Sequence, residues 1–83
     1  MRDLRIRYFA GAAQAAGTHE AVIAVTEGES LADLAARLGL GNDRLAKVLA
    51  VSSFVVDGVV TTDRAVLVGT AQAIDVLPPF AGG

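Results

Sequence analysis

The stretch Ala73–Gly83, AIDVLPPFAGG, determines how this chain is organised, because a strand pattern runs directly into a glycine-ended tail. Its beginning is largely apolar and predicts the last strand of a sheet. Pro78 and Pro79 come next; they fix φ and favour extended polyproline geometry, which projects the tail rather than letting it fold back. Gly82 and Gly83 lack a Cβ, so this end can enter a narrow channel and present its main-chain carboxyl group to chemistry on another protein.

Phe80 and Ala81 lie between the prolines and the final glycines. Aromatic anchors seated in partner pockets commonly dominate the energy of an interface, so we expect Phe80 to bind a partner. The alternatives are that Phe80 packs back onto its own domain, or that the tail is a frayed chain end. We interpret residues 78–83 as an extended arm that is inserted into a partner.

The composition indicates a single globular domain over residues 1–83. Hydrophobic residues make up 53% of the chain and charged residues 19%, which is too apolar for a disordered protein. The net charge is −2 and no basic run occurs, so we expect no nucleic-acid partner. Without cysteine there is no disulfide, no cysteine-ligated zinc and no thiol nucleophile. No leader pattern occurs and no apolar stretch approaches the ~18 residues of a membrane helix, so we expect a cytoplasmic protein with no membrane partner.

Alternation of apolar and charged residues predicts a first strand that buries Leu4, Ile6 and Tyr8. Apolar, β-branched residues at 21–25 predict a second strand hairpinned to the first, after a short helical turn at 12–16 that Gly17 closes. Asp57-Gly58 stands between two valine-rich runs and is a strong two-residue hairpin signal. The pattern continues without a repeat, a linker or a second domain.

Two helices are predicted between these strand pairs. Ser30 is a good N-cap, and Asp33 lies at the capping-box spacing from it. Gly39 is expected to end this helix in the left-handed conformation, and Asn42 or Asp43 to cap a further short helix. The apolar faces are Leu31, Leu34, Ala35 and Leu38 in the first helix and Leu45, Val48 and Leu49 in the second.

Signatures of an active site are missing from the sequence. A dinucleotide fingerprint begins at residues 39–41, but Arg44 stands where its third glycine belongs. His19 is the only histidine, and we expect it to be a solvated polar residue. Glu27 and Glu29 are expected to be solvated acids before a helix N-terminus rather than paired catalytic carboxylates. We therefore expect no catalytic machinery in the chain itself.

Three segments of the sequence are distinctive when taken together: Arg7-Tyr8-Phe9-Ala10, the turn Asp57-Gly58, and Ile74–Gly83, in which a strand leads into Pro-Pro-x-x-Gly-Gly. They resemble the small subunit of molybdopterin synthase, the MoaD-like family. The resemblance covers the whole chain in element order and length. It implies an α+β fold, the ubiquitin-like β-grasp, with a mixed sheet packed on one main helix. The family often has a Gly-Asp turn before the last strand; Ala71-Gln72 stands there in this chain, which leaves the turn conformation and strand register open.

This resemblance implies a sulfur carrier, the non-catalytic, sulfur-donating subunit of a synthase. An adenylating activating enzyme would use ATP to activate Gly83, and a sulfur donor would convert it to a thiocarboxylate, with no cofactor bound stably. Gly82 would allow passage and residues 78–81 would form the inserted arm. In the active site of the molybdopterin synthase large subunit, Gly83 would donate its sulfur to precursor Z in molybdenum cofactor biosynthesis.

Strand parity adds a docking surface. Since Tyr8 and Val76 take the core face of their strands, Phe9 and Leu77 turn outward. A β-grasp fold pairs these strands in parallel, so Phe9 and Leu77 would meet where the tail emerges and form an apolar patch with Phe80. Arg5, Arg7 and Asp75 would form its polar rim. The alternative is that Phe9 bends inward at the strand end.

Other functions remain open at this point. Carriers that supply sulfur for the thiazole of thiamine or for cysteine synthesis also end in Gly-Gly, although the Pro-Pro step and the chain length favour the molybdopterin branch. A ubiquitin-like modifier conjugated to lysines would be activated by the same adenylation. A structural interaction module with an inert tail is the remaining alternative.

Overall fold

The computed structural model describes residues 2–79. Helices and strands follow one another in the order β1 (Arg2–Tyr8), α1 (Ala10–Ala16), β2 (Glu20–Val25), α2 (Leu31–Leu38), α3 (Asp43–Val51), β3 (Ser53–Val56), β4 (Val59–Thr61) and β5 (Ala73–Leu77). The five strands form one sheet in the order β2-β1-β5-β3-β4. β1 and β5 are parallel, whereas β2, β3 and β4 pair antiparallel with their neighbours, so the sheet is mixed as expected.

Strand parity holds in both central strands. Leu4 and Ile6 of β1 and Ile74 and Val76 of β5 are fully buried, and Tyr8 is 5% exposed. These side chains form the sheet side of the hydrophobic core, and the apolar faces of the helices form its other side. The prediction of a first strand with one buried face is confirmed.

Helix α1 is longer than predicted, because it begins at Ala10 rather than Ala12. Ala10 itself has a φ of 49°, and Gly17 closes the helix in the left-handed conformation with a φ of 77°. This helix joins β1 to β2, and Ala12 and Ala13 are its buried residues. The small alanine side chains let it lie close to the sheet.

Helix α2 begins with the predicted capping box. The Ser30 hydroxyl accepts a hydrogen bond from the Asp33 amide at 3.1 Å, and the Asp33 carboxylate accepts one from the Ser30 amide at 3.3 Å. Its buried residues are Leu31, Leu34 and Ala35. Asn42 caps helix α3 through the Leu45 amide, which settles the choice between the two predicted caps.

The prediction for Gly39 is wrong. Its φ is −84°, in the right-handed region, and Gly41 has the left-handed conformation instead, with a φ of 74°. Gly39 is required for space: a Cβ there would lie 2.9 Å from the Ala46 Cβ and 3.1 Å from the Ala46 Cα. The close approach of α2 and α3 therefore depends on this glycine.

The prediction for Glu29 is also wrong. Glu29 is only 8% exposed. Its two carboxylate oxygens accept hydrogen bonds of 2.8 and 2.6 Å from Nη1 of Arg37, and one of them also accepts a hydrogen bond of 3.3 Å from the Thr26 amide. A buried carboxylate needs such partners because an isolated charge is costly to desolvate. Glu27 is exposed, as expected.

The β3–β4 hairpin forms as predicted and also fixes the turn before β5. Asp57 and Gly58 have φ values of 48° and 86°, which match the type I′ turn of a two-residue hairpin. The Asp57 carboxylate accepts hydrogen bonds from the amides of Gln72 at 2.9 Å and Ala73 at 3.0 Å. Asp57 therefore helps to hold the Ala71-Gln72 turn, together with Arg2, whose Nη1 donates to the Ala71 carbonyl at 2.6 Å.

Substitution of Gly39 tests the helix packing. Gly39→Ala is expected to lower the free energy of unfolding by about 1–3 kcal/mol, because the Ala46 backbone must shift. The matched control is Gly11→Ala within α1, where nothing lies within 4 Å of the added Cβ. Alanine should stabilise that helix by up to ~1 kcal/mol. Urea denaturation of both variants measures the difference, and equal effects would contradict the packing argument.

Candidate functional site: the tail root and the outer face of the sheet

The tail begins at the centre of the sheet rather than at an edge. β5 pairs in parallel with β1 and antiparallel with β3, so it is hydrogen-bonded on both sides. At its end, the Phe9 amide donates to the Val76 carbonyl at 3.3 Å, and Ser53 lies opposite Leu77. The last residue of β5 is therefore held by the two strands beside it.

Of the predicted arm, the structure describes only the beginning. Pro78 is partly buried and Pro79 is exposed, so the chain turns towards solvent as it leaves the sheet. Phe80, Ala81, Gly82 and Gly83 lie outside the described residues, and their assigned roles remain predictions.

Phe9 and Leu77 lie side by side at the tail root. The pairing of Tyr8 with Val76, extended by one residue, places Phe9 next to Leu77 on the face opposite the helices. Phe9 is 40% exposed and Leu77 is half-buried. The outward side of this strand pair therefore carries apolar surface at the point where the tail leaves. We call Phe9 and Leu77 the tail-root patch.

Arg7 and Asp75 form a cross-strand ion pair beside this patch. Arg7 donates from Nε at 2.7 Å and from Nη2 at 2.8 Å to the two carboxylate oxygens of Asp75. These hydrogen bonds, together with the carboxylate charge, raise the pKa of Arg7 above its usual value. The Arg7 guanidinium also lies 5.7 Å from the centre of the Phe9 ring, within cation–π range. The predicted polar rim of Arg5, Arg7 and Asp75 therefore contains an ion pair, Arg7–Asp75, next to Phe9.

Sequence reasoning missed two valines on the same face. Val55 of β3 lies opposite Asp75, and Val60 of β4 lies opposite Val55, so a row of side chains continues from the ion pair to the sheet edge. Val60 is 66% exposed. Counting alternate residues outward from the Asp57-Gly58 turn is the signal that would have found them.

Other candidate chemistry is sparse in the part of the chain that the structure describes. His19 is exposed, and its carbonyl accepts a hydrogen bond from the Tyr8 amide at 2.9 Å. Within residues 2–79, no group of three or more His, Asp or Glu side chains is arranged to hold a metal ion. Among these residues, no helix is long and apolar enough to cross a membrane.

Comparison with known proteins identifies a family. Residues 6–83 match the ThiS family. No curated protein has a significant sequence match to the chain.

Several solved structures have the same fold. SAMP1 from Haloferax volcanii superposes with a TM-score of 0.80 at 17% identity, covering 99% of this chain and 100% of that one. The putative molybdopterin converting factor, subunit 1, from Pyrococcus furiosus gives 0.70 at 22% identity, covering 95% and 99%. Small archaeal modifier protein 1 from Methanosarcina acetivorans gives 0.72 at 21% identity, covering 100% and 98%. The predicted α+β β-grasp fold is confirmed.

Titration of Tyr8 tests directly which face of β1 is buried, because Tyr8 is the only tyrosine in the chain. Burial raises the pKa of Tyr8, since desolvation disfavours the phenolate. We therefore expect an ultraviolet titration of the folded protein to show an apparent pKa above that of the protein in denaturant, which should be about 10. The folded state then keeps its proton where the unfolded state loses it, so stability falls as pH rises above that ordinary value. Equal titrations in both states would place Tyr8 on the outer face.

Proposed function

Because this chain belongs to the ThiS family of ubiquitin-like sulfur carriers and modifiers, we propose that it is a sulfur carrier for molybdopterin synthesis. In this proposal the chain is the small subunit of molybdopterin synthase and carries sulfur as a thiocarboxylate on Gly83. The observation that supports it is the path of β5, which runs from the centre of the sheet through Leu77 into Pro78 and Pro79. A tail rooted there can be presented to a partner by the whole domain.

The chemistry starts from the carboxyl group of Gly83. A free α-carboxyl group has a pKa of about 3.3–3.7, so at neutral pH it is an anion and a poor electrophile. An adenylating enzyme joins it to the AMP part of ATP and releases pyrophosphate. The outer sulfur of a persulfide donor then displaces AMP from the activated carbonyl and forms an acyl disulfide; a thiol of the donor protein cleaves its S–S bond, becoming a disulfide, and leaves the thiocarboxylate on Gly83. This route needs no cysteine in the carrier, which agrees with the composition.

Sulfur transfer would take place on the large subunit of molybdopterin synthase. Residues 78–81 serve as the arm that carries Gly82 and Gly83 into its active site, where the thiocarboxylate donates sulfur to precursor Z. Glycine at the tip lets the backbone approach closely because no Cβ intervenes. The domain then contributes docking and presentation, while catalytic groups come from its partners in the cytoplasm.

The tail-root patch is the proposed contact for these partners. Phe9 is the N-cap residue of α1, where its side chain cannot make a capping hydrogen bond, and it is 40% exposed. The Arg7 guanidinium lies over the Phe9 ring, and its ion pair with Asp75 leaves the neighbourhood close to neutral. An apolar surface of this kind, next to the root of the tail, suits a partner that must bind the domain and the tail together.

Two alternatives stay in view. A protein modifier is favoured by the likeness to structures that bear the name small archaeal modifier protein 1, and it would form an amide through Gly83 instead of transferring sulfur. A carrier for thiamine thiazole or cysteine synthesis would load sulfur identically but deliver it to a different acceptor. Isopeptide-linked species in cell extracts distinguish the modifier, and reconstitution with precursor Z and the large subunit distinguishes the two carriers.

Deletion of Gly83 tests the site of loading. The parent protein, incubated with the adenylating enzyme, ATP and a sulfur donor, should show the oxygen-to-sulfur mass change by intact mass spectrometry. The truncated protein should unfold at the same temperature as the parent and show no mass change. A truncated protein that still gained sulfur would overturn the assignment of Gly83.

Substitutions in the tail-root patch test docking. Phe9→Ser should leave the unfolding temperature unchanged or slightly raised, because serine can cap α1 where phenylalanine does not. Leu77→Ser should cost little stability because Leu77 is only half-buried. Both should weaken binding of the large subunit and the adenylating enzyme, measured by calorimetry.

The matched control for these variants is Val22→Ser, an exposed position on β2 opposite Arg5 and away from the tail root. It should bind both partners like the parent. A large loss of stability in Phe9→Ser or Leu77→Ser with unchanged affinity would assign these side chains to the core.

A further inference from the structure

Helix α3 ends beside the root of the tail, and its own sequence supplies no cation for that end. The helix runs from Asp43 to Val51, and its last turn contains no basic residue. Ser52 follows it as the C-cap residue, and β3 begins at Ser53. The carbonyl end of a helix carries partial negative charge and unpaired acceptors, which a nearby cation stabilises.

Arg64, from the loop after β4, supplies that cation. Its Nη2 donates to the carbonyls of Leu49 at 2.7 Å, Ala50 at 3.3 Å and Ser52 at 3.3 Å. Its guanidinium also lies 4.8 Å from the centre of the Phe54 ring, which is fully buried. One guanidinium therefore joins the end of α3, the residue that precedes β3, and the core.

The backbone around Arg64 is held as well. The Arg64 carbonyl accepts a hydrogen bond from the Ala32 amide, in the first turn of α2, at 2.9 Å. The Asp63 amide donates to the Thr61 hydroxyl at 3.0 Å, and the Asp63 carboxylate accepts from the Ala65 amide at 2.9 Å. Contacts on both sides of Arg64 thus fix the place from which its side chain projects.

Ser52 and Ser53 connect this contact to the tail root. Ser52 is buried, its hydroxyl donates to the Val48 carbonyl at 2.6 Å, and its carbonyl accepts from Arg64. The next residue, Ser53, lies opposite Leu77, the last residue of β5. Arg64 therefore binds the chain one residue away from the strand pair that holds the root of the tail.

The two sides of β5 differ in which of its backbone groups face them. The Asp57 amide donates to the Ala73 carbonyl, whereas the Phe9 amide donates to the Val76 carbonyl. Since successive residues of a strand direct their backbone groups to opposite sides, the Leu77 amide faces β3 and the Val76 amide faces β1. These neighbouring amides therefore report separately on the two sides of the tail root.

We propose that Arg64 is a positioning residue for the tail: by fixing the backbone of Ser52 and Ser53, it holds the β3 side of the tail root and sets the direction in which the tail leaves the sheet. This inference rests on the proposed function, because it gives Arg64 a part in presenting Gly83 to the adenylating enzyme. Arg64 acts through the backbone and not on the reacting atoms. The tail-root patch determines how tightly the partner docks, and Arg64 determines how well the docked tail is aligned.

Hydrogen exchange of Arg64→Met tests the contact without any partner. Methionine keeps an unbranched side chain that can cover Phe54 but cannot donate to the carbonyls. The ratio of the Leu77 exchange rate to the Val76 exchange rate is expected to rise about tenfold, because only the β3 side of the tail root opens more often. A loss of stability spread over the whole domain would speed both amides alike. An unchanged ratio would therefore overturn the proposal.

Two further variants are the matched controls. Arg64→Lys keeps a charged donor and should give a ratio between those of the parent and Arg64→Met; a ratio as high as that of Arg64→Met would show that the charged donor does not hold the tail root. Arg37→Met removes another arginine that donates to a backbone carbonyl, that of Ala24 at 2.8 Å, and that pairs with Glu29. Ala24 lies opposite Asp3, at the other end of β1 from the tail root. This variant should lose stability at an unchanged ratio, and a raised ratio would count against a specific role of Arg64.

Steady-state kinetics with the adenylating enzyme test the role in presentation. In ATP-dependent pyrophosphate release, Arg64→Met is expected to lower kcat roughly tenfold with little change in KM, because docking is kept and alignment is lost. Phe9→Ser should instead raise KM. A raised KM at unchanged kcat for Arg64→Met would assign Arg64 to docking and overturn the proposal.

The two measurements separate this proposal from the proposed function. If the parent releases no pyrophosphate, the proposed function fails, and the role of Arg64 in presentation fails with it. The exchange ratio still decides whether Arg64 holds the tail root. If the parent is adenylated and the ratio and kcat of Arg64→Met both match those of the parent, only the role of Arg64 is refuted.

Discussion

The parallel pairing of β1 with β5 is the constraint on which the rest of this structure depends. It joins the two ends of the chain, with Arg5 opposite Ala73 and Tyr8 opposite Val76. Parallel neighbours cannot be joined by a tight turn, so everything between them must form a crossover that returns the chain to the same end of the sheet. The helices and the β3–β4 hairpin are accommodated within that long connection, and the core lies between them and β1–β5.

The same pairing creates the surface beside the tail. Arg7 and Asp75 are 68 residues apart in the chain, yet they share a bidentate ion pair because their strands are in register. Exposed ion pairs contribute little to stability, typically below about 1 kcal/mol. The pair matters more for what it arranges: it neutralises two charges next to Phe9 and places the guanidinium near the aromatic ring. The apolar surface formed by Phe9 and Leu77 therefore has a paired, and not an uncompensated, charge beside it.

Local signals explain which features could be predicted from the sequence. The Ser30 capping box, the Asp57-Gly58 turn and the alternation in β1 each depend on residues a few positions apart, and all three are present in the structure. Gly39 and Glu29 were misread because their roles depend on distant neighbours, Ala46 on the next helix and Arg37 at the end of α2. Rules based on local secondary-structure propensity do not include such contacts.

In the candidate site too, some features follow from local sequence patterns and others depend on contacts between distant segments. Parity within each strand was enough to direct Phe9 and Leu77 outward. Pairing the charges of Arg7 and Asp75, however, required the exact register between two distant strands. Alternation from the Asp57-Gly58 turn puts Val55 and Val60 on one face, but their place next to Asp75 depends on the pairing of β3 with β5. The turn at Ala71-Gln72 could not be judged from its own residues, since side chains distant in sequence, those of Asp57 and Arg2, hydrogen-bond to it.

Because the tail is short, a partner that acts on Gly83 in the proposed function must also come close to the tail-root patch. An extended residue spans at most about 3.6 Å, so the four residues after Pro79 reach no further than about 14 Å. A partner that acts on Gly83 must therefore place its reactive groups within that distance of the sheet end, and its surface must come close to the tail-root patch. Docking and chemistry are then coupled by geometry: a substitution that moves the partner a few ångströms away from Phe9 would withdraw the carboxyl group from the reaction. In the proposed function, that coupling would let the domain influence the rate of sulfur transfer even though the catalytic groups belong to its partners.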